Sequence, residues 1–542
     1  MLSQYWETVR WLRPVQIYGR IGFKLLRPPV DARPAPPLRR TTGVWAEPAR
    51  PSPSLFEPRS FKLLNQTGSL SEIGWNGPQR SALWRYNQHY FDDLNAQDAA
   101  SRRGWHQQLI ADWIADNPPA AGVGWDPYPA SLRIVNWIKW SLGGGSLDER
   151  AVQSVAVQAR WLSRRLEWHL LGNHLFANAK ALVFSGLFFA GHEANTWLLK
   201  GLRILTREMP EQVLPDGGQF ELSPMYHAIA LEDVLDLINI TRRYAAALPT
   251  EGQELATTWR SLVDPMRRWL NTLSHPDGGI AFFNDAAFGA ARCNADLDAY
   301  ALRLGFSAIE SVEGLTHLRE SGYARLENSD AAAIIDLAKI GPDYLPGHAH
   351  ADTLSFELSL FGRRVFVNSG TSTYEPGPER SRQRSTAAHN TLSIPGQNSS
   401  DVWSSFRVGR RARPFHVATH CDGVSLSAEG AHDGYVHLPG RPVHFRRLLL
   451  QPKRLRVEDH LNATAPAEVR FHVHPEMTLS EVESDRGRLV FPDGKTAAWR
   501  CQSGPIRVEP TSWHPEFGKT VPNQCIVAPL KDNRAVFELD WS

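Results

Sequence analysis

The sequence predicts a multidomain α and β protein, with a helical toroid or partial toroid followed by an antiparallel β-sandwich. Three observations carry this. At 542 residues the chain exceeds what one hydrophobic core accommodates. From about Trp84 apolar residues recur at helical spacing in one segment after another. After about Leu315 the apolar period changes to two, with Gly, Asp and Asn between the runs. The expected parts are an N-terminal Pro/Arg-rich extension (1–80), a helical unit (81–315) and a β-sandwich (316–542).

The extension opens with a short helix over Tyr5–Leu12. Prolines at 28, 29, 34, 36, 37, 48, 51 and 53 then exclude regular helix and describe an extended arm. A β-like patch covers Phe56–Ile73. In the helical unit Leu109, Trp113 and Ile114 mark one stripe, and Ser131 is placed to cap a helix through Ile138. Further helices are expected over 151–171, 175–189, 197–207, 229–248 and 255–273. Leu175, Ala179, Leu182, Val183 and Leu187 keep the 3.6-residue period. Joints such as Gly143-Gly144-Gly145 and Leu214-Pro215-Asp216-Gly217-Gly218 separate hairpins packed side by side. Strands are expected at 332–336, 354–360, 364–367, 448–457, 467–473, 488–491 and 535–539.

Composition excludes several classes. A 42% hydrophobic and 21% charged content describes a globular chain, and a net charge of +2 provides no field that demands nucleic acid. Cys293, Cys421, Cys501 and Cys525 lack CxxC spacing, so no zinc ribbon is expected, and at most one disulfide in the C-terminal part. The longest uncharged apolar run, Ala181–Gly191, is too short to span a bilayer. Residues 1–24 carry Glu7 and no unbroken apolar stretch, a poor signal peptide. Exposed faces among the nineteen tryptophans would suit sugar rings, although most such residues pack helices.

Three stretches carry chemistry. In Gly347-His348-Ala349-His350-Ala351-Asp352 a His-x-His runs into the strand Leu354–Leu360. With a period of two, Asp352, His350 and His348 share the buried side, unless the histidines already lie in a loop. In Gly172-Asn173-His174, the carboxamide and imidazole open a helix, where free N–H groups favour a carboxylate. The alternative is a capping Asn beside a structural His. In Ser223-Pro224-Met225-Tyr226-His227 a tyrosine precedes a helix; alone, it reads as a core-edge residue. Arg380, Arg382 and Arg384 alternate as a cationic strip suited to a carboxylate or sulfate, or simply as a solvated edge.

Gly-Asn-His with Ala-Asn-Ala-Lys-Ala-Leu, then Ser-Pro-Met-Tyr-His, His-Ala-His-Ala-Asp and Thr-Ala-Ala-His-Asn-Thr occur in the order that resembles the heparinase II/III family of polysaccharide lyases and the related alginate lyases. Val15–Arg20 and Trp125-Asp126-Pro127-Tyr128-Pro129 resemble its branch encoded among bacterial exopolysaccharide genes. The resemblance implies an incomplete α/α toroid joined to an antiparallel β-sandwich, with the cleft between them, and β-elimination on uronic-acid polymers. By position, Asn173 and His174 would neutralise the substrate carboxylate. Tyr226 would be base, acid or both, with His348 as partner, and Arg384, Tyr374 and Trp125 would bind substrate. No cofactor is required for the chemistry. His350, Asn368 and His389 match a structural, zinc-like divalent metal site, but Asn368 stands where the family has aspartate, which weakens it. The expected partner is an acidic polysaccharide, not nucleic acid. The family's substrates imply the periplasm or cell envelope, whereas the N-terminus taken at face value implies the cytoplasm. Two rivals remain: a glycoside hydrolase using carboxylates among Asp216, Glu221 and Asp285, and a non-catalytic polysaccharide-binding or assembly protein that keeps the cleft.

Overall fold

The computed structural model describes residues 2–310 and 313–542. Between Ala82 and Arg303 the chain forms a succession of helices that pack in alternation. Those starting at Ala82, Pro127, Gly172, Pro224 and Asn294 each touch the next of their own set, and those starting at Arg103 and Glu149, or at His192 and Thr250, touch one another outside them. This two-layered ring is the incomplete α/α toroid. All helices of the inner set run in one direction, so their first turns gather at one end. The helix Gly172–Phe188 buries Leu175, Ala179, Leu182, Val183 and Leu187 completely, as their spacing predicts. It is pressed against His192–Gln212, where a Cβ on Gly186 would stand 2.5 Å from the Leu198 nitrogen.

Two sheets follow. One orders Arg507–Trp513, Val521–Pro529, Glu468–Val473, Arg363–Phe366, Phe356–Leu360, Ala331–Asp336, Tyr323–Glu327 and Gly314–Leu318 side by side, all antiparallel. The other is centred on His444–Gln451, Arg454–Leu461 and Arg534–Trp541. Phe356, Leu358, Ala333, Ile335, Leu448, Val457, Phe537 and Leu539 fill the space between them. The first sheet is buried on both faces. Ile334 points the other way, joining Trp269, Leu273, Phe283 and Tyr323 in a core shared with the helices. On that face Glu357 and Ser359 each bond His275 at 2.7 Å.

The N-terminal arm differs from its sequence reading in one respect. After Leu2–Val9 a second helix spans Pro14–Leu25, with proline tolerated at its first position. The arm then runs extended over the toroid, its Arg39 N–H donating to the Phe188 carbonyl and Ala46 to Asn239. The β-like patch forms the three strands Leu55–Glu57, Ser60–Leu63 and Gln66–Ser69. Ser131 does not cap: the helix Pro127–Leu142 begins at a proline, and Ser131 bonds back to the Pro127 carbonyl inside it. The one bridge the C-terminal cysteines allowed is not formed: all four cysteines are free thiols.

Candidate active site

Two inner helices open where the toroid meets the double-buried sheet. Gly172–Phe188 begins after Leu171, which adopts φ +62°, and Asn173 and His174 occupy its first turn. The neighbouring helix Pro224–Arg243 is capped by Ser223, whose Oγ accepts the Tyr226 N–H at 3.2 Å and donates to the Asp285 carbonyl at 2.6 Å. This cap ties the first turn that carries Tyr226 to the 285 loop. From the other side, 348–355 form a loop and strand pairing starts only at Phe356. The period of two therefore stops before the histidines, and Leu354 takes φ +64° as the chain turns out of the sheet.

The loop brings His348 face to face with Tyr226, ring centroids 3.8 Å apart at 29°. His348 Nδ1 lies 2.9 Å from Asp285 Oδ2, and Asp285 also meets His350 Nε2 at 2.9 Å and the buried Arg380 guanidinium on both oxygens. Burial alone would raise the Asp285 pKa, but Arg380 and the two imidazoles hold it well below the usual range. The ionised Asp285 fixes the His348 ring through Nδ1 and leaves Nε2 on the side of Glu221. Burial, with the neighbouring Tyr374 and Asp285, pushes the Tyr226 phenol well above 10, so it is protonated at neutrality. Its oxygen is 3.0 Å from the Tyr374 hydroxyl.

Glu221 links the two helix starts. Its Oε2 is 3.8 Å from His348 Nε2, and its Oε1 would be 3.5 Å from a Cβ on Gly172, beside Asn173. Burial raises its pKa, so it favours the neutral form more than an ordinary glutamate does. His174 lies against the Tyr128 ring, 4.4 Å between centroids, with Nδ1 3.1 Å from Glu167. Burial works to lower the His174 pKa, but the charge and hydrogen bond of Glu167 outweigh it, and the value is raised. The Asn173 carboxamide takes no hydrogen bond among the described residues and is part-exposed, available to a ligand. Tyr226, His348 and Tyr374 thus form one contiguous group, and Glu221 lies between it and the helix start that carries Asn173 and His174.

Two sequence expectations are corrected. Trp125 is 4% exposed and packs on Trp113 and Trp161, its indole N–H spent on the Asn117 carbonyl; apolar burial within the ring, not the cleft, claims it. Arg384 is fully buried, giving Nε and Nη2 to the Ala349 carbonyl, so it braces the histidine loop from behind instead of facing solvent. Burial first, then Arg380, lowers its pKa to about 9. The cationic strip is absent for the same reason: Arg380 and Arg382 lie on a short helix, Pro378–Gln383, one locked on Asp285 and the other on Glu379, Ser512 and His514. The pairing of Arg380 with Asp285, 95 residues apart, is marked by no local motif, and neither is Glu167, seven residues before His174.

Behind His348 a second cluster forms. His350 Nδ1 stands 3.1 Å from His389 Nε2. His350 Nε2 is committed to Asp285 and His389 Nδ1 to the Ser385 carbonyl at 2.7 Å. In neutral tautomers the two remaining lone pairs therefore face each other, an arrangement that suits a cation. Asp352 offers a carboxylate oxygen within 4.8 Å of both. Asn368 uses its carbonyl on the Asn390 N–H at 3.0 Å and its amide on Ser355 at 3.3 Å. The donor set that fits a divalent, zinc-like ion is thus His350, His389 and Asp352.

Known proteins repeat this plan. Residues 79–302 match the heparinase II/III N-terminus and 311–542 the heparinase II/III-like C-terminal model. A heparin-sulfate lyase of Bacteroides stercoris is 28% identical over 248 residues, 42% of this chain and 36% of that protein. The chain thus aligns with about a third of the length of the first curated relatives it matches. FtsZ-localized protein C of Caulobacter vibrioides is 25% identical over 451 residues, 73% of this chain and 74% of that protein. The crystal structure of a heparan sulfate lyase HepC mutant from Pedobacter heparinus shares the fold, with a TM-score of 0.61 at 18% identity over 97% of this chain and 87% of that one. With both family models in chain order across the toroid and the sandwich, the chain belongs to the heparinase II/III family of polysaccharide lyases.

Proposed function

We propose that this protein cleaves a uronic-acid-containing bacterial exopolysaccharide by β-elimination. One observation carries the reading: the Tyr226 phenol and the His348 imidazole, from opposite halves of the chain, stack at 3.8 Å, and Glu221 stands between His348 and the helix start that carries Asn173 and His174. Elimination needs the uronate carboxylate neutralised before the adjacent C5 proton can leave. Asn173 donates to that carboxylate, and Glu167 raises the His174 pKa, which favours an imidazolium beside it. His348, its ring oriented by Asp285 at Nδ1, accepts the C5 proton on Nε2. Tyr226, held protonated by burial, gives its proton to the departing C4 oxygen, and Tyr374 accompanies the phenol. No metal enters these steps. His350, His389 and Asp352 would hold a zinc-like ion as a brace beneath the loop, and zinc retained after dialysis, measured by elemental analysis, is expected to vanish in His389→Ala.

The test is digestion of uronic-acid polymers followed by ultraviolet absorbance of the conjugated unsaturated product. Tyr226→Phe is expected to lower kcat by about a hundredfold or more with an unchanged melting temperature. Retention of full activity by both Tyr226→Phe and His348→Ala would refute the assignment. A glycoside hydrolase has less support, because Asp216 caps a turn through Gly218 and Ser321 and Asp285 is sequestered by Arg380. A second reading, a non-catalytic assembly protein with a lyase-like cleft, draws on the alignment with the Caulobacter protein over 74% of its length. Binding of polymer with no unsaturated product would select it.

A further inference from the structure

The helix Pro14–Leu25 has two apolar faces and only one is used. Its inner face is pinned to the body. Gln16 Nε2 donates to the Tyr344 carbonyl at 3.1 Å, Phe23 lies on His169 with centroids 4.3 Å apart, and Arg165 donates to the Phe23 carbonyl at 3.0 Å. Because this side is anchored, the outer side cannot roll inward. Ile17, Tyr18, Ile21 and Leu25 fall within roughly 100° of arc on it, and they are 54%, 64%, 56% and 76% exposed. Leu26 continues the patch, and in the preceding helix Trp6 is 64% exposed. Large apolar side chains grouped in this way mark a docking surface.

Charge selects the occupant. The first thirty residues hold five Lys or Arg and a single acidic residue, Glu7, in a chain whose total is only +2. Arg20 and Lys24 flank the apolar arc and form no ion pair among the described residues, whereas Arg10 and Arg13 are engaged by Glu7 and Glu211. An acidic polysaccharide would use the cations but gain nothing from four exposed aliphatic side chains. A second copy of this chain would bring Arg20 and Lys24 against their own like. An anionic bilayer uses everything present: aliphatic residues enter the acyl boundary, Trp6 and Tyr18 sit at headgroup depth, and the cations meet lipid phosphates. No described helix is long and apolar enough to cross a membrane, so the contact is peripheral. We infer that the N-terminal helices dock this protein on an anionic lipid surface.

The experiment uses the full chain in flotation with phosphatidylcholine vesicles, with and without phosphatidylglycerol, at low and high salt. The wild type is expected to float only with the anionic vesicles and to be released by salt. Ile17→Asn/Ile21→Asn/Leu25→Asn, all at exposed sites, is expected to weaken flotation by at least about tenfold at an unchanged melting temperature, and Arg20→Glu/Lys24→Glu by about tenfold. The inference is overturned if the wild type stays with neither vesicle or if the triple variant floats like the wild type. It is equally overturned if light scattering shows a dimer that the triple variant dissociates, since a second copy would then cover the patch. Lyase activity on soluble polymer is independent of all these outcomes.

Discussion

Glu167 and Asp285 each hold an imidazole of the candidate site by a hydrogen bond, His174 in the first case and His348 in the second. Glu167 raises the His174 pKa. A carboxylate ligand is therefore met by a full imidazolium below that value, and the attraction is lost as pH climbs through it. Glu167→Gln removes the charge and moves the pKa down. In a pH series KM is expected to begin rising at a lower pH than in wild type, with kcat less affected. An unchanged KM profile would mean that His174 does not hold the carboxylate. Asp285 acts through geometry, receiving His348, His350 and Arg380 at once. The sequence displays Asn173, His174, Tyr226 and His348 because each sits in a compact motif. Their partners carry no motif: Asp285 is chosen for His348 across 63 residues, and Glu167, only seven residues from His174, sits in no recognisable pattern.

Helices of the inner ring place the first two of those motifs by where they start. Ser223 caps the helix that carries Tyr226 and simultaneously holds the Asp285 carbonyl. Ser223→Ala is expected to cost about 1 kcal/mol in urea unfolding, the usual worth of an N-cap. Activity is expected to fall severalfold as the first turn loosens, and stability loss without any change in kcat would separate the cap from the chemistry. The 3.6 period locates the helices well, since a buried stripe is a one-dimensional signal. Ends are less legible: Ser131, a strong capping residue, was overruled by Pro127 four positions earlier. The short strand at Phe356 likewise ends the alternation sooner than the apolar pattern suggests: its neighbour ends at Asp336, which Leu354 and Ser355 still reach, and beyond that the His350 N–H turns to the Asn284 side chain.

Toroid and sandwich are held together by a sheet whose central strands are buried on both faces, one filled by the sandwich core and the other by a mixed apolar and polar contact with the helices. Trp269 lies between them, fully buried, stacked on His227 at 4.3 Å and donating to Ser321 at 2.8 Å. Trp269→Ala is expected to cost about 3–5 kcal/mol. Calorimetry of the wild type is expected to show one transition, and of the variant two, as the shared core no longer couples the halves. A single lowered transition in the variant would show that other contacts suffice. The same junction gathers the candidate residues, since these inner helices begin and the histidine loop leaves the sheet at one place.

Periodicity and four short motifs were enough to read the order of helical and β halves and the principal side chains of the candidate site, since both are recorded in neighbouring residues. Burial was not. Trp125 and Arg384 carry side chains suited to sugar and carboxylate, and folding enclosed both. Asp352 came to face the paired imidazoles while Asn368 turned to the backbone. Side-chain type states what a residue can bind; which face it ends on depends on packing between segments hundreds of positions apart, and that only the folded chain resolves.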